Sequence, residues 1–231
     1  MAKTWAVLLE EVKDDMNLHG EDFVSDAELL AWANDGIEQA EKEIVSLYDK
    51  YFETDTALAL VSGTKLYSLP SDILANKITN IEYANGNSEY EILYLKRKEQ
   101  VRYEGQGGKY YRYRLRNDST NGIQIEFFPT PTETSSENIK VHYIRSATRL
   151  ALTTDVIEIP IADAFIKQYM KDQVRGKELG PMWDHAETQS LAKQRALMIE
   201  ALQNMIPDDS RDEIIPDTSF YDEVYDDYEG I

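Results

Sequence analysis

Apolar positions recur at helical spacing at both ends of the chain and at every second position through its middle. Near the start Trp5, Leu8, Leu9, Val12 and Met16 mark one face of a helix, with Thr4 as its N-cap and Gly20 placed to end it in a left-handed conformation. A longer helix begins at Ser25-Asp26-Ala27-Glu28. This is a capping box, in which the serine hydroxyl and the glutamate carboxylate each take a backbone N–H that the first helical turn leaves free. Its stripe runs Leu29, Trp32, Ala33, Gly36, Ala40, Ile44, Leu47, Tyr48 and Tyr51, with small residues that let another helix come close. After Phe52 the period changes to two. From residue 64 to about 145 come short runs rich in Tyr, Ile, Val and Phe, separated by turn clusters at 84–87, 105–108 and 117–122. The alternation is clearest in Tyr111-Arg112-Tyr113-Arg114-Leu115-Arg116, which predicts aromatics on one face and arginines on the other, and Ile123, Ile125 and Phe127 repeat it. Phe128-Pro129-Thr130-Pro131 ends that strand because proline has no N–H for the ladder, and a further strand is predicted from Ile139 to Arg145 after a Thr/Ser-rich loop. Helical period returns after Ile159-Pro160. Ala162, Phe165, Ile166, Tyr169, Met170 and Val174 make one helix, broken at Gly180-Pro181, and Leu191, Ala192, Arg195, Met198, Leu202 and Met205 make the next, ending at Pro207.

Helices therefore flank strands. Neither terminal pair has enough surface for a bundle of its own, so the expected fold is α+β: one four-helix bundle, residues 1–60 with 155–206, carrying an inserted antiparallel β domain, residues 61–154. Residues 207–231 form a third part. They are strongly acidic and too poor in aliphatic residues to make a core, yet Ile214, Ile215, Phe220, Tyr221, Tyr225 and Tyr228 supply anchors that a partner can bury. The segment reads as an extended docking tail.

Charge narrows the function. With 24 Lys and Arg against 43 Asp and Glu, the formal net charge is −19. Such a chain does not grip a phosphate backbone through its overall field, although an acidic surface suits a channel through which DNA slides. Against that balance, Lys96, Arg97, Lys98, Arg102, Lys109, Arg112, Arg114 and Arg116 gather positive charge in the β region, and the reading favours contact with an acidic protein surface over contact with DNA. There is no cysteine, hence no disulfide, thiolate metal site or thiol nucleophile. The start lacks the apolar core of a signal peptide and no stretch is long enough to span a bilayer, which leads to the expectation of a soluble, cytosolic product.

No catalytic constellation emerges. His19, His142 and His185 lack ligand spacing. Asp208, Ser210 and Asp212 imitate the start of a calcium loop, but Glu213 stands where glycine is required and Ser219 where a bidentate glutamate belongs. Gly105-Gln106-Gly107-Gly108 precedes a β-rich run instead of a helix, so it reads as a hairpin turn and not a phosphate cradle. Neither a cofactor nor a metal is expected.

The order of motifs resembles one family. A helix pair containing Glu28-Leu29-Leu30-Ala31-Trp32-Ala33-Asn34, a strand closing on Tyr67-Ser68-Leu69-Pro70-Ser71-Asp72, a strand ending Phe128-Pro129-Thr130-Pro131, and Ile157-Glu158-Ile159-Pro160 opening a long helix are similar to the head-to-tail adaptor, or connector, proteins of tailed bacteriophages, particularly the short-tailed kind. The resemblance implies a non-enzymatic virion protein, made in the host cytoplasm. It implies a ring of itself, usually of twelve copies, that joins the portal protein to the tail tube or nozzle while double-stranded DNA passes through the bore without specific binding. It also implies that Leu69, Pro70 and Asp72 mark the start of the β insertion, Pro129 and Pro131 its closing strand, and that the C-terminal segment reaches the portal or a neighbouring subunit. On the residues alone two other classes stand beside it: an acidic DNA mimic that inhibits a basic partner, against which the inserted β domain argues, and a carbohydrate-handling module built on the tyrosine-rich strands.

Overall fold

The computed structural model describes residues 3–20, 23–84, 90–92, 112–120, 122–132, 134–180 and 188–206, which form four helices and two antiparallel sheets. Lys96, Arg97, Lys98, Arg102, Lys109, the glycine-rich turn at 105–108, His185 and the whole acidic tail lie outside the described residues.

Helix α1 (Trp5–Met16) starts as its sequence requires, with the Thr4 hydroxyl accepting the Val7 N–H. It stops earlier than expected. Asn17 adopts the left-handed conformation (φ 53°) and its N–H caps the carbonyls of Asp14 and Lys13, so Gly20, three residues on, does not end the helix. Asparagine tolerates that region better than other residues bearing a Cβ. Helix α2 (Asp26–Leu47) carries both bonds of the capping box: Glu28 N–H to Ser25 Oγ at 3.3 Å and Ser25 N–H to the Glu28 carboxylate at 2.9 Å. Lys177 adds a bond at 2.6 Å, and these donors, Lys177 first, bring the exposed Glu28 carboxyl down to about 2. At Leu47 the chain leaves the helix for a short 3-10 turn, Asp49–Phe52; Tyr48 and Tyr51 therefore pack on the helical core from beyond the helix, and Leu47 is exposed.

Helix α3 (Asp163–Leu179) follows the 3-10 turn opened by Pro160 and ends at Gly180 (φ 54°); α4 (Gln189–Gln203) is capped by the Thr188 hydroxyl. Helix α3 packs against α1, α2 and α4. Helix α3 lies against Gly36 of α2, where a Cβ would stand 3.3 Å from the Tyr169 ring and 3.5 Å from Ile166, so the small residue in the stripe is what lets α3 sit down. Leu8, Val12, Leu29, Ala33, Ile37, Ile44, Phe165, Ile166, Met170 and Leu202 belong to one hydrophobic cluster.

The four-stranded sheet has the order β1 (Glu53–Leu60), β7 (Ser135–Arg145), β3 (Ile73–Ala84), β4 (Tyr90–Ile92), and the three-stranded sheet the order β2 (Leu66–Ser68), β6 (Gly122–Phe128), β5 (Arg112–Asp118). Strand β1 precedes residue 64, where the alternating runs begin; its pairing with β7, for example Thr56 opposite Val141, places it in the sheet. Leu60, Ile81, Ile139, Val141 and Tyr143 of the larger sheet meet Tyr67, Ile125 and Phe127 of the smaller in a second hydrophobic cluster. Strand β7 joins the two clusters through its pleat: Val141 and Tyr143 face the sheets, and Ile144 turns into the helical cluster.

Candidate assembly interfaces

The residues that connect the strands to the helices come from motifs far apart in sequence. Asn34, on the face of α2 toward the chain leaving β7, acts as a surrogate strand: its amide donates to the Leu150 carbonyl at 3.0 Å and accepts the Leu150 N–H at 2.8 Å. Two turns on, Glu41 is buried and accepts the Ala147 N–H at 2.6 Å with one oxygen and Arg149 at 2.7 Å with the other. Asp72 accepts the Tyr143 hydroxyl at 2.9 Å through its side chain and the Ser146 N–H at 2.7 Å through its carbonyl. Burial, and then the Asp72 carboxylate, push the Tyr143 hydroxyl up to about 12. Glu158 accepts the Thr148 N–H at 2.8 Å and pairs with Arg145, between the fully buried Ile157 and Ile159. Asp155 accepts the N–H groups of Leu152 and Ala151, which hold its carboxyl below the ordinary range. Carboxylates and one amide thus replace the regular ladder along residues 147–152, where a chain leaving a sheet for a helix has no partner of its own.

Glu41 was not apparent from sequence. Glu41 lies four residues after Ile37 and three before Ile44, inside the apolar stripe, and that position is the signal the sequence offers. Asp172 of α3 is a parallel case. It is buried and accepts from Gln168 at 2.9 Å and from the Thr188 hydroxyl at 2.5 Å, coupling α3 to the cap of α4.

Of the basic residues expected to form an interface, three are described. Arg112, Arg114 and Arg116 share one face of β5, opposite Phe128, Glu126 and Gln124 of β6. They do not act alike. Arg114 donates to Glu126 at 2.5 Å, and Lys65 approaches the same carboxylate at 3.3 Å; both cations lie over the Phe128 ring, at 5.1 and 4.1 Å. Burial of Glu126 opposes ionisation, but the bonds from Arg114 and Lys65 outweigh it and its carboxyl titrates below the ordinary value. Arg114 is thereby an internal partner, whereas Arg112 and Arg116 are exposed and have no ion-pair partner among the described residues. On the other face of β5, Leu115 is an exposed hydrophobe at 40%.

His19 pairs with Asp14 at the end of α1, and His142 lies 3.3 Å from Glu82 on the face of the larger sheet away from the smaller. Among the described residues no group of three or more potential ligands is placed to hold a metal ion, and no helix is long and apolar enough to cross a membrane.

The chain is thus an α+β protein in which Asn34, Glu41, Asp72 and Glu158 fasten the strands to the helices. The family model for the SU10 adaptor protein matches residues 3–217, and the chain belongs to that family, the head-to-tail adaptors of tailed bacteriophages. No curated protein matches the chain. A phage adaptor is a component of the virion and contacts other head or tail proteins. The match ends at Asp217, so Phe220, Tyr221, Tyr225 and Tyr228 lie beyond it.

Proposed function

We propose that copies of this chain close into a ring, twelve to a turn, in the neck of the virion, where the ring joins the portal protein to the tail tube or nozzle and double-stranded DNA passes through the bore without specific binding. The observation that carries this reading is the family match over residues 3–217. A net charge of −19 supports a passage that repels DNA over a surface that holds it. The helices are read as a four-helix bundle with the β part inserted in it, a division supported by the two separate hydrophobic clusters. The exposed arginines of β5 face an acidic protein surface, and residues 207–231 serve as the docking segment toward the portal or a neighbouring subunit. The chain works without catalysis, cofactor or metal. Electron microscopy of the protein alone and mixed with a portal tests the proposal: a ring with a hole wide enough for duplex DNA is expected, and a monomer that leaves the portal bare overturns it.

A further inference from the structure

Among the described residues the two long sheet edges differ in charge. Strand β1 exposes Glu53 and Asp55 on the rim of the larger sheet, and β5 exposes Arg112 and Arg116 on the rim of the smaller. An edge strand offers a row of backbone donors and acceptors to any extended segment, and the charges beside it select which one. Residues 208–229 of this chain hold ten Asp and Glu against a single Arg, so the rim of β1 repels this segment and the rim of β5 attracts it.

Spacing and the residue between the acids select the segment. Arg112 and Arg116 lie four residues apart on one face of a strand, about 13–14 Å. Five acidic pairs of the tail have this interval, and of these only Glu213/Asp217 and Glu223/Asp227 set an aliphatic residue across from Leu115; Pro216 lies inside the first, which leaves Glu223 and Asp227. An antiparallel strand with Glu223 opposite Arg116 and Asp227 opposite Arg112 sets Tyr225 across from Arg114 and, on the other face, Val224 across from the exposed Leu115. One register thus sets a carboxylate against each of the two exposed arginines and covers the exposed leucine. The 17 residues from Ile206 to Glu223 can span about 55 Å, enough to reach a second copy.

We propose that residues 222–227 of one copy add as an antiparallel strand to β5 of the next copy. This rests on the ring reading above and names the partner of the tail. Tail and β5 are different patches, so the contact is head-to-tail, the type that closes rings.

The chain has no cysteine, which makes a disulfide test clean. Full-length Leu115→Cys and full-length Val224→Cys are mixed under mild oxidation, so that only a contact between copies can join them. A mixed disulfide is expected at least tenfold above either chain alone and above Leu115→Cys mixed with Asp222→Cys, which is two residues out of register. In the same assay Arg112→Glu/Arg116→Glu on the Leu115→Cys chain lowers the yield at least tenfold, and Glu223→Arg/Asp227→Arg on its partner restores it. Should the Leu115 variant fail to fold, the two charge-reversed chains without cysteines are compared by sedimentation, each associating less than wild type and the mixture recovering. A yield no higher than the controls, or reversals that change nothing, overturns the contact. With the ring still present in images of the reversed chain, that failure falls on this contact alone; a wild-type chain that forms no ring on a portal overturns the reading beneath it and the contact with it.

Discussion

Replacing Glu41 by alanine strikes the junction at its most buried point. The carboxylate is 3% exposed, and its two bonds differ in kind. The Ala147 N–H is buried with it, so truncation leaves a donor that neither protein nor water satisfies, which costs about 1–3 kcal/mol. Removing the side chain also forfeits the burial of one methylene, about 0.8 kcal/mol. Arg149 is 37% exposed and can turn to solvent, so its end of the pair contributes less than about 1 kcal/mol. We expect Glu41→Ala to cost about 2–4 kcal/mol and Glu41→Gln, whose amide oxygen still accepts from Ala147, about 1 kcal/mol. Urea denaturation at pH 7, followed by circular dichroism with the midpoint and slope fitted separately, measures both. The ordering is the critical result. Equal losses for Gln and Ala would mean that the charge and not the acceptor matters, and a loss below about 1 kcal/mol for Ala would mean that the Ala147 N–H finds another partner; either refutes the account of Glu41 as the strut beneath residues 146–150.

Three further outcomes follow from other contacts. Gly36→Val drives two methyl groups against Tyr169 and Ile166 of α3 and is expected to lose about 2–3 kcal/mol in the same titration. Ser25→Ala removes the hydroxyl that accepts the Glu28 N–H and is expected to lower stability by about 1 kcal/mol in thermal melts. Burial raises the Asp163 carboxyl from 3.8 to about 6, opposed by Lys3. A folded-state value above the unfolded one means that this group's contribution is intact below about pH 4 and is lost as pH rises through 6. Asp163→Asn is accordingly expected to raise the melting temperature at pH 8 and leave it unchanged at pH 4, and calorimetry at the two pH values that showed equal shifts would contradict this assignment.

The elements legible in the chain are those whose signals are local. The Ser25–Glu28 capping box, the stripe from Leu29 to Ile44 with Gly36 inside it, the alternation from Arg112 to Arg116 and the breaks at Pro160 and Gly180 each depend on residues within a few positions, and each stands in the structure where the pattern puts it, although β5 runs on through Asp118 into what reads as a turn. The motifs quoted for the family resemblance were equally visible. What they do was not: Asn34, Asp72 and Glu158 converge on one junction only after the chain has folded. Other outcomes also waited on tertiary partners. Strand β1 carries little local preference and is defined by β7. Arg112, Arg114 and Arg116 look equivalent in a row, yet Glu126 on the neighbouring strand pairs with the middle one and leaves the outer two exposed, without an ion-pair partner among the described residues. Glu41 looks like one more surface acid until Ala147, 106 residues away, presents its N–H. Periodicity records which face of an element is turned inward, because that depends on the element's own geometry; whether a charge on that face is buried depends on a partner brought near by the fold, and sequence spacing holds no record of that distance.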